Sequence, residues 1–218
     1  MDKRAEEAAV PENFKDAKLN NFKKDVYVLP ESQEIINLAF KASKNFVWHF
    51  DKFRDEGKGL YFHSNTKGSG KTRLISSITN AINSQHPQLH AIYKKADDLL
   101  GEIKSTFIPN VDTEQVIDKF RTSDLLVVDD LGVENIDDKN GWVERTLTDI
   151  FDKRLEKNKV TIFSSNYSLS DLDGVYASDR ISSRIRKMVV EIPMPEESIR
   201  DQESRKEAEE MENILFRG

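Results

Sequence analysis

The 218-residue chain contains no cysteine, which excludes disulfide cross-links and thiolate metal sites. Its four histidines are scattered, so a zinc centre is not expected. No apolar run approaches the roughly 20 residues that span a bilayer. The first nine residues are charged and lack the apolar centre of a secretion signal. These absences lead us to expect a cytoplasmic protein without membrane contact. An excess of positive charge is missing too: 33 Lys and Arg stand against 39 Asp and Glu, a net charge of −6. Proteins that coat nucleic acid along a whole face are usually basic, so any such contact here has to come from a local patch. What is present, 37% hydrophobic and 33% charged residues, suits one sizeable α/β domain with a short appendage.

Residues 1–30 are polar, with isolated apolar anchors at Phe14, Leu19, Phe22, Tyr27 and Leu29. They are expected to form an arm laid over a domain. Ile35, Leu38, Ala39, Ala42, Phe46 and Phe50 fall on helical spacing and predict one helix from residue 30 to near 57. Strands then alternate with helices. Strands are predicted at 59–63, 89–94, 124–129, 159–164 and 188–192. Helices are predicted at 71–84, 96–106, 113–121, 142–158, 177–187 and 196–216. The segments DLLVVD and KVTIFS are apolar on both faces, as central parallel strands are. The alternation predicts a mostly parallel central sheet flanked by helices. Right-handed crossovers would put a ligand site along one edge of it. The main domain is expected over 31–200, with a charged helix or tail over 201–218 and little or no separate C-terminal lid.

The strongest local signal is NTKGSGKT, residues 65–72, between a predicted strand and a predicted helix. Gly68 and Gly70 let the backbone turn so that successive N–H groups face phosphate oxygens. The following helix adds the positive end of its dipole. The Lys71 ammonium is placed to bridge outer phosphates, and the Thr72 hydroxyl to ligate magnesium. The usual pattern opens with glycine. Asn65 stands there, and asparagine tolerates left-handed backbone better than most residues. The candidate nucleotide contacts are Asn65, Thr66, Lys67, Gly68, Ser69, Gly70, Lys71, Thr72 and Arg73. The plainer alternative is a Gly-Ser-Gly turn followed by an incidental Lys-Thr.

The run LLVVDD delivers Asp129 and Asp130 at the end of an apolar strand. Asp129 would hold magnesium, and Asp130 would orient or deprotonate an attacking water. A turn pair at a strand end is the alternative. TIFSSN places Asn166 just past the next buried strand, where an amide can position water or cap a turn. DRISSRIRK carries Arg180 and Arg184 four residues apart, on one helical face. Arg184 is a candidate for neutralising transferred phosphoryl charge, against a solvated or ion-paired arginine. Arg200, in SIR, starts the last predicted helix.

Taken in order, PENFKDAKLNNF, NTKGSGKTRL, LLVVDDLG, TIFSSN, DRISSRI and SIR resemble the DnaC/DnaI-type bacterial helicase loaders. The related transposition helper ATPases of the IstB type share much of this pattern. The resemblance covers roughly residues 11–200 and implies a P-loop AAA+ fold that binds ATP and Mg2+. It implies Walker A at Lys71 and Thr72, and Walker B at Asp129 and Asp130. It further implies sensor 1 at Asn166, an arginine finger at Arg184 beside Arg180, sensor 2 at Arg200, and Phe14 and Phe22 enclosing the adenine. The implied partners are a hexameric DnaB-type replicative helicase and single-stranded DNA, with ATP-dependent self-assembly. Many such loaders carry an N-terminal helicase-gripping domain, whereas about 60 residues precede the phosphate loop here. Candidate DNA contacts are Lys94, Lys95, Lys104 and Phe107, a basic groove with a stacking ring. Three readings stay open: an ATP-driven helicase loader, a transposition helper, and a nucleotide-gated adaptor with negligible hydrolysis. Asp130, where many AAA+ proteins have the longer glutamate, and Asn65 at the head of the loop keep the third in play.

Overall fold

The computed structural model describes residues 6–109, 111–134 and 141–217. The helices are α1 Pro30–Trp48, α2 Phe50–Asp55, α3 Lys71–Gln85, α4 Ala96–Lys104, α5 Thr113–Thr122, α6 Trp142–Glu156, α7 Arg180–Met188 and α8 Ile199–Arg217. The strands are β1 Gly59–His63, β2 Ala91–Lys95, β3 Leu125–Leu131, β4 Val160–Ser165 and β5 Val189–Pro193. They form one sheet in the order β2-β3-β4-β1-β5, and every neighbouring pair is parallel. This is the parallel α/β architecture that the alternation predicts.

Side chains alternate across each strand, and the sheet therefore carries two cores. Leu60, Phe62, Val127 and Ile162 pack with Ile36 of α1 and Leu74 and Ile78 of α3. Tyr61, Val128 and Phe163 face the other way, against Leu147 and Ile150 of α6 and Ile185 of α7. The expected arm lies along the first layer and buries Val10, Phe22 and Tyr27. Asn80 of α3 ties it down, donating from Nδ2 to the carbonyls of Phe14, Lys15 and Ala17 at 3.3, 3.2 and 2.9 Å.

Some boundaries differ from the sequence expectation. The single helix over 30–57 is two helices, broken at His49 (φ −110°, ψ 25°). No glycine or proline marks that break. It sits where Phe50 meets His86 beyond α3, ring centroids 5.3 Å apart, a contact that local periodicity does not encode. β3 runs two residues beyond the predicted end and contains an irregularity between Val128 and Leu131. α8, predicted from 196, starts at Ile199: Glu196 and Glu197 bond to residues 65–66 and 28–29, and the Ser198 hydroxyl accepts the Asp201 N–H at the helix start. From residue 203 to 216 every α8 side chain is exposed, and no separate lid packs on the domain among the described residues. No helix among them is long and apolar enough to cross a membrane.

Candidate functional site

A cavity of about 310 Å³ is lined by residues 67–73, Asp130, Val133, Asn166, Phe14, Ile199, Arg200 and Glu203. It lies where β1, β3 and β4 end. In a parallel sheet those C-terminal ends share one edge, the usual place for a ligand. The phosphate loop bridges β1 and α3. Gly68 (φ 79°) and Gly70 (φ 93°) are left-handed, a conformation glycine adopts without steric cost. A Cβ on Gly70 would stand 2.5 Å from the Tyr27 hydroxyl, which lies under the loop and donates to the Ser69 carbonyl at 2.8 Å. Asn65 is not among the left-handed residues, so the first loop position does not use the tolerance expected of asparagine.

Lys71 is nearly buried, and its ammonium donates to the carbonyls of Ser64 and Thr66, each at 3.1 Å, and to Ser69 Oγ at 3.3 Å. Burial holds its pKa below the usual lysine value, against the attraction of Asp130, Glu196 and Asp129. The Thr72 hydroxyl, one residue into α3, donates to Asp129 Oδ1 at 3.3 Å. Asp129 is fully buried and also accepts from Tyr93 OH at 2.9 Å and from the Ser164 hydroxyl. Burial and the charge of Asp130 push its carboxyl above the usual range, and the hydroxyls from Ser164, Tyr93 and Thr72 counter this.

Asp130 has φ 58°, and its N–H donates to Ser164 Oγ at 3.0 Å. The irregularity of β3 therefore sends two successive carboxylates in different directions, Asp129 towards Thr72 and Asp130 into the cavity wall. Left-handed geometry is costly for a non-glycine residue and tends to be kept at functional sites. Mg2+ favours oxygen ligands and commonly takes one or two from protein beside phosphate oxygens. The Thr72 and Asp129 oxygens, 3.3 Å apart, suit such a shared site. No cluster of three or more His, Cys, Asp or Glu suited to a metal occurs among the described residues, so the phosphates would have to complete the coordination.

The expected residues divide into two groups. Lys67, Gly68, Ser69, Gly70, Lys71, Thr72, Arg73, Asp130, Asn166 and Arg200 share the cavity, as does Phe14, with Asp129 directly behind Thr72. Asn65 and Thr66 lie outside its lining; their N–H groups go to Glu196. Phe22 is buried against Phe40, centroids 5.9 Å apart, and does not line the cavity. Arg184 lies away from it, on α7, with Nε on Asp152 Oδ1 of α6 at 2.6 Å and Nη1 on the Arg180 carbonyl at 2.9 Å. Of the DNA candidates, Lys94 pairs with Glu102 at 3.0 Å. Lys104 sits 5.0 Å over the Trp142 ring, and exposed Phe107 meets that ring edge-on at 5.5 Å. Sequence reasoning placed Tyr27 only as an anchor of the arm, and it missed Tyr93, Ser164 and Glu196. Ser164 lay inside the TIFSSN motif, whereas Tyr93 and Glu196 carry no local signature.

A parallel sheet with a glycine loop, a lysine and threonine at a helix start, and an acidic pair on the adjoining strand defines a P-loop ATPase of the AAA+ class. The sequence matches the bacterial DnaA ATPase domain over residues 20–191, and the chain belongs to that family. A chromosomal replication initiator protein DnaA of Borreliella burgdorferi (strain ZS7) is 30% identical over 212 residues, which cover 94% of this chain and 40% of that protein. The chain thus spans no more than about two-fifths of such relatives. Among solved structures, a DnaC helicase loader superposes with a TM-score of 0.70 and 26% identity, over 85% of this chain and 100% of that one. DnaI superposes with 0.67 and 23%, over 88% and 94%. A DnaA bound to AMPPCP and single-stranded DNA shares the fold, at 0.62 and 22% over 88% and 55%. The likeness to DnaC/DnaI-type proteins is therefore found in the structure, while the sequence relatives are DnaA. Both are AAA+ proteins of DNA replication.

Proposed function

We propose that this protein is an ATP-hydrolysing helicase loader that delivers a hexameric DnaB-type replicative helicase onto single-stranded DNA. The observation that carries the loader reading is the match to a DnaC helicase loader over the whole of that chain. The site supports the chemistry. Loop amides from Gly68 onward and the Lys71 ammonium hold the phosphates. Thr72 and Asp129 would hold Mg2+. When bound, the ion neutralises charge on the phosphate oxygens. Asp130 orients and deprotonates the attacking water, Asn166 holds that water near the terminal phosphate, and Arg200 approaches from the start of α8. Arg184, held by Asp152 within its own chain, acts on the nucleotide of a neighbouring copy after ATP-dependent assembly. Residues 1–30 serve as the arm, 31–200 as the ATPase domain and 201–218 as a charged extension. Lys94, Lys95, Lys104 and Phe107 are the proposed DNA contacts.

One observation favours a second reading, the nucleotide-gated adaptor. Asp130 is one methylene shorter than glutamate, which limits its reach towards a water. Phosphate release by wild type, Lys71→Ala and Asp130→Asn, with and without single-stranded DNA, separates the readings. Lys71→Ala should lose ATP binding, and Asp130→Asn should bind ATP without turnover. A wild type that never releases phosphate leaves the adaptor. Capture of a DnaB-type helicase separates a loader from a transposition helper, and failure to capture it counts against loading.

A further inference from the structure

Two adjacent carboxylates between β5 and α8 take no part in the chemistry above. Glu196 accepts the N–H groups of Asn65 at 2.9 Å and Thr66 at 2.8 Å, and the Thr66 hydroxyl at 2.8 Å. Glu197 accepts the N–H groups of Val28 at 3.0 Å and Leu29 at 3.4 Å, just ahead of α1, and the Gln202 side-chain amide at 2.6 Å. The same segment also closes on the middle of the phosphate loop. The Gly68 carbonyl accepts the Ile199 N–H at 3.0 Å. A Cβ on Gly68 would stand 2.8 Å from Ser198 Oγ and 2.9 Å from Arg200 Cβ.

A negative charge beside a triphosphate site is unfavourable for the ligand, so Glu196 needs another reason to be there. Its geometry supplies one. An ionised carboxylate is acceptor-only, and charge-assisted bonds to N–H groups are stronger than neutral ones. Glu196 uses both oxygens on the first two residues of the loop; the Asn65 N–H goes to one and the Thr66 N–H, shared with Ser64 Oγ, to the other. Burial opposes its ionisation, yet the bonds from Thr66 and Asn65 outweigh burial and keep the carboxyl below the usual glutamate range.

We propose that Glu196 is a positioning residue of the nucleotide site, pinning the start of the phosphate loop so that the amides of residues 68–71 hold their orientation towards phosphate. The loop opens with Asn65, whose φ is not positive, and Glu196, 131 and 130 positions away, holds the N–H groups of Asn65 and Thr66, with Ser64 Oγ sharing the Thr66 N–H at 3.1 Å. Glu197, by contrast, fastens the residues ahead of α1 and Gln202 of α8, and makes no bond to the phosphate loop. This inference rests on the reading of the loop as a phosphate site.

The test compares ATP affinity by calorimetry, steady-state turnover and thermal melting for wild type, Glu196→Gln, Glu196→Asp and Glu197→Gln, with Lys71→Ala as a non-binding control. Glutamine turns one acceptor into a donor facing an N–H. Glu196→Gln should therefore weaken ATP binding about tenfold or more. Turnover at saturating ATP should stay within about twofold and the melting temperature within a few degrees. Glu196→Asp keeps the acceptors and should recover part of the affinity. Glu197→Gln should lower the melting temperature and leave ATP affinity as in wild type. Wild-type affinity in Glu196→Gln overturns the inference alone, as does a parallel loss of affinity and stability in both glutamine variants. A wild type that binds no ATP overturns the phosphate reading, and the inference with it.

Discussion

Arg154 and Asp129 are both fully buried charges, set at opposite ends of the same two central strands. Arg154 reaches from α6 to the ends where β3 and β4 begin. Its guanidinium donates to the carbonyls of Phe120 at 2.7 Å, Ser123 at 2.9 Å and Val160 at 2.6 Å, and to the hydroxyls of Thr161 and Ser123, each at 2.9 Å. Burial lowers its pKa to about 9, with Asp124 opposing, and the charge is retained because its surroundings are all acceptors. Asp129 sits at the other edge, with hydroxyl donors, a second carboxylate next to it and a cavity beyond. Burial and Asp130 work against its charge, which a divalent cation would favour. A buried charge whose partners are complete acts as scaffold. One whose surroundings leave it short of positive charge, beside an opening, is a site.

The sharpest way to break this comparison is Arg154→Ala. It strands three carbonyls and leaves a hole, at a cost on the order of 4 kcal/mol. The melting temperature should fall by roughly 10 °C, while the folded fraction binds ATP as before. A stable Arg154→Ala protein would show that the fold does not depend on that clamp.

Asp129→Asn should behave in the opposite way. Phosphate release should fall at least about a hundredfold, while the melting temperature of the nucleotide-free protein holds or rises, since a disfavoured buried charge is gone. A drop as large as that of Arg154→Ala would put both charges in the same structural role.

The smallest effect is expected from Tyr93→Phe, with a stability change of about 1 kcal/mol. The Tyr93 hydroxyl favours ionised Asp129. Removing it raises the Asp129 pKa further, so the neutral form persists to higher pH. The acid limb of the pH–turnover profile should then move to higher pH, with the alkaline limb unchanged. An unmoved acid limb would detach Asp129 from that limb.

The two regions also differ in how far the sequence disclosed them. NTKGSGKT and LLVVDD announce the nucleotide edge, because glycine placement, a helix start and an apolar strand ending in carboxylates are local facts. Arg154 carries a fainter trace. It continues the apolar stripe of Leu147, Ile150 and Phe151 at helical spacing, the one charge on a buried face. The expectations that fail are those about reach. Asn65 and Phe22 stand on the expected elements, yet the Asn65 amide goes to Glu196 and the Phe22 ring to Phe40.

The sequence by itself determined the order of strands and helices, the phosphate loop and the acidic strand end. Each depends on backbone conformation and periodicity within a few residues. Only the tertiary structure decided that Tyr27 and Glu196 hold that loop, that Tyr93 and Ser164 support Asp129, and that Arg184 pairs with Asp152. Those contacts join residues 32 to 131 positions apart. They exist because the sheet order brings the segments side by side, which no local pattern records.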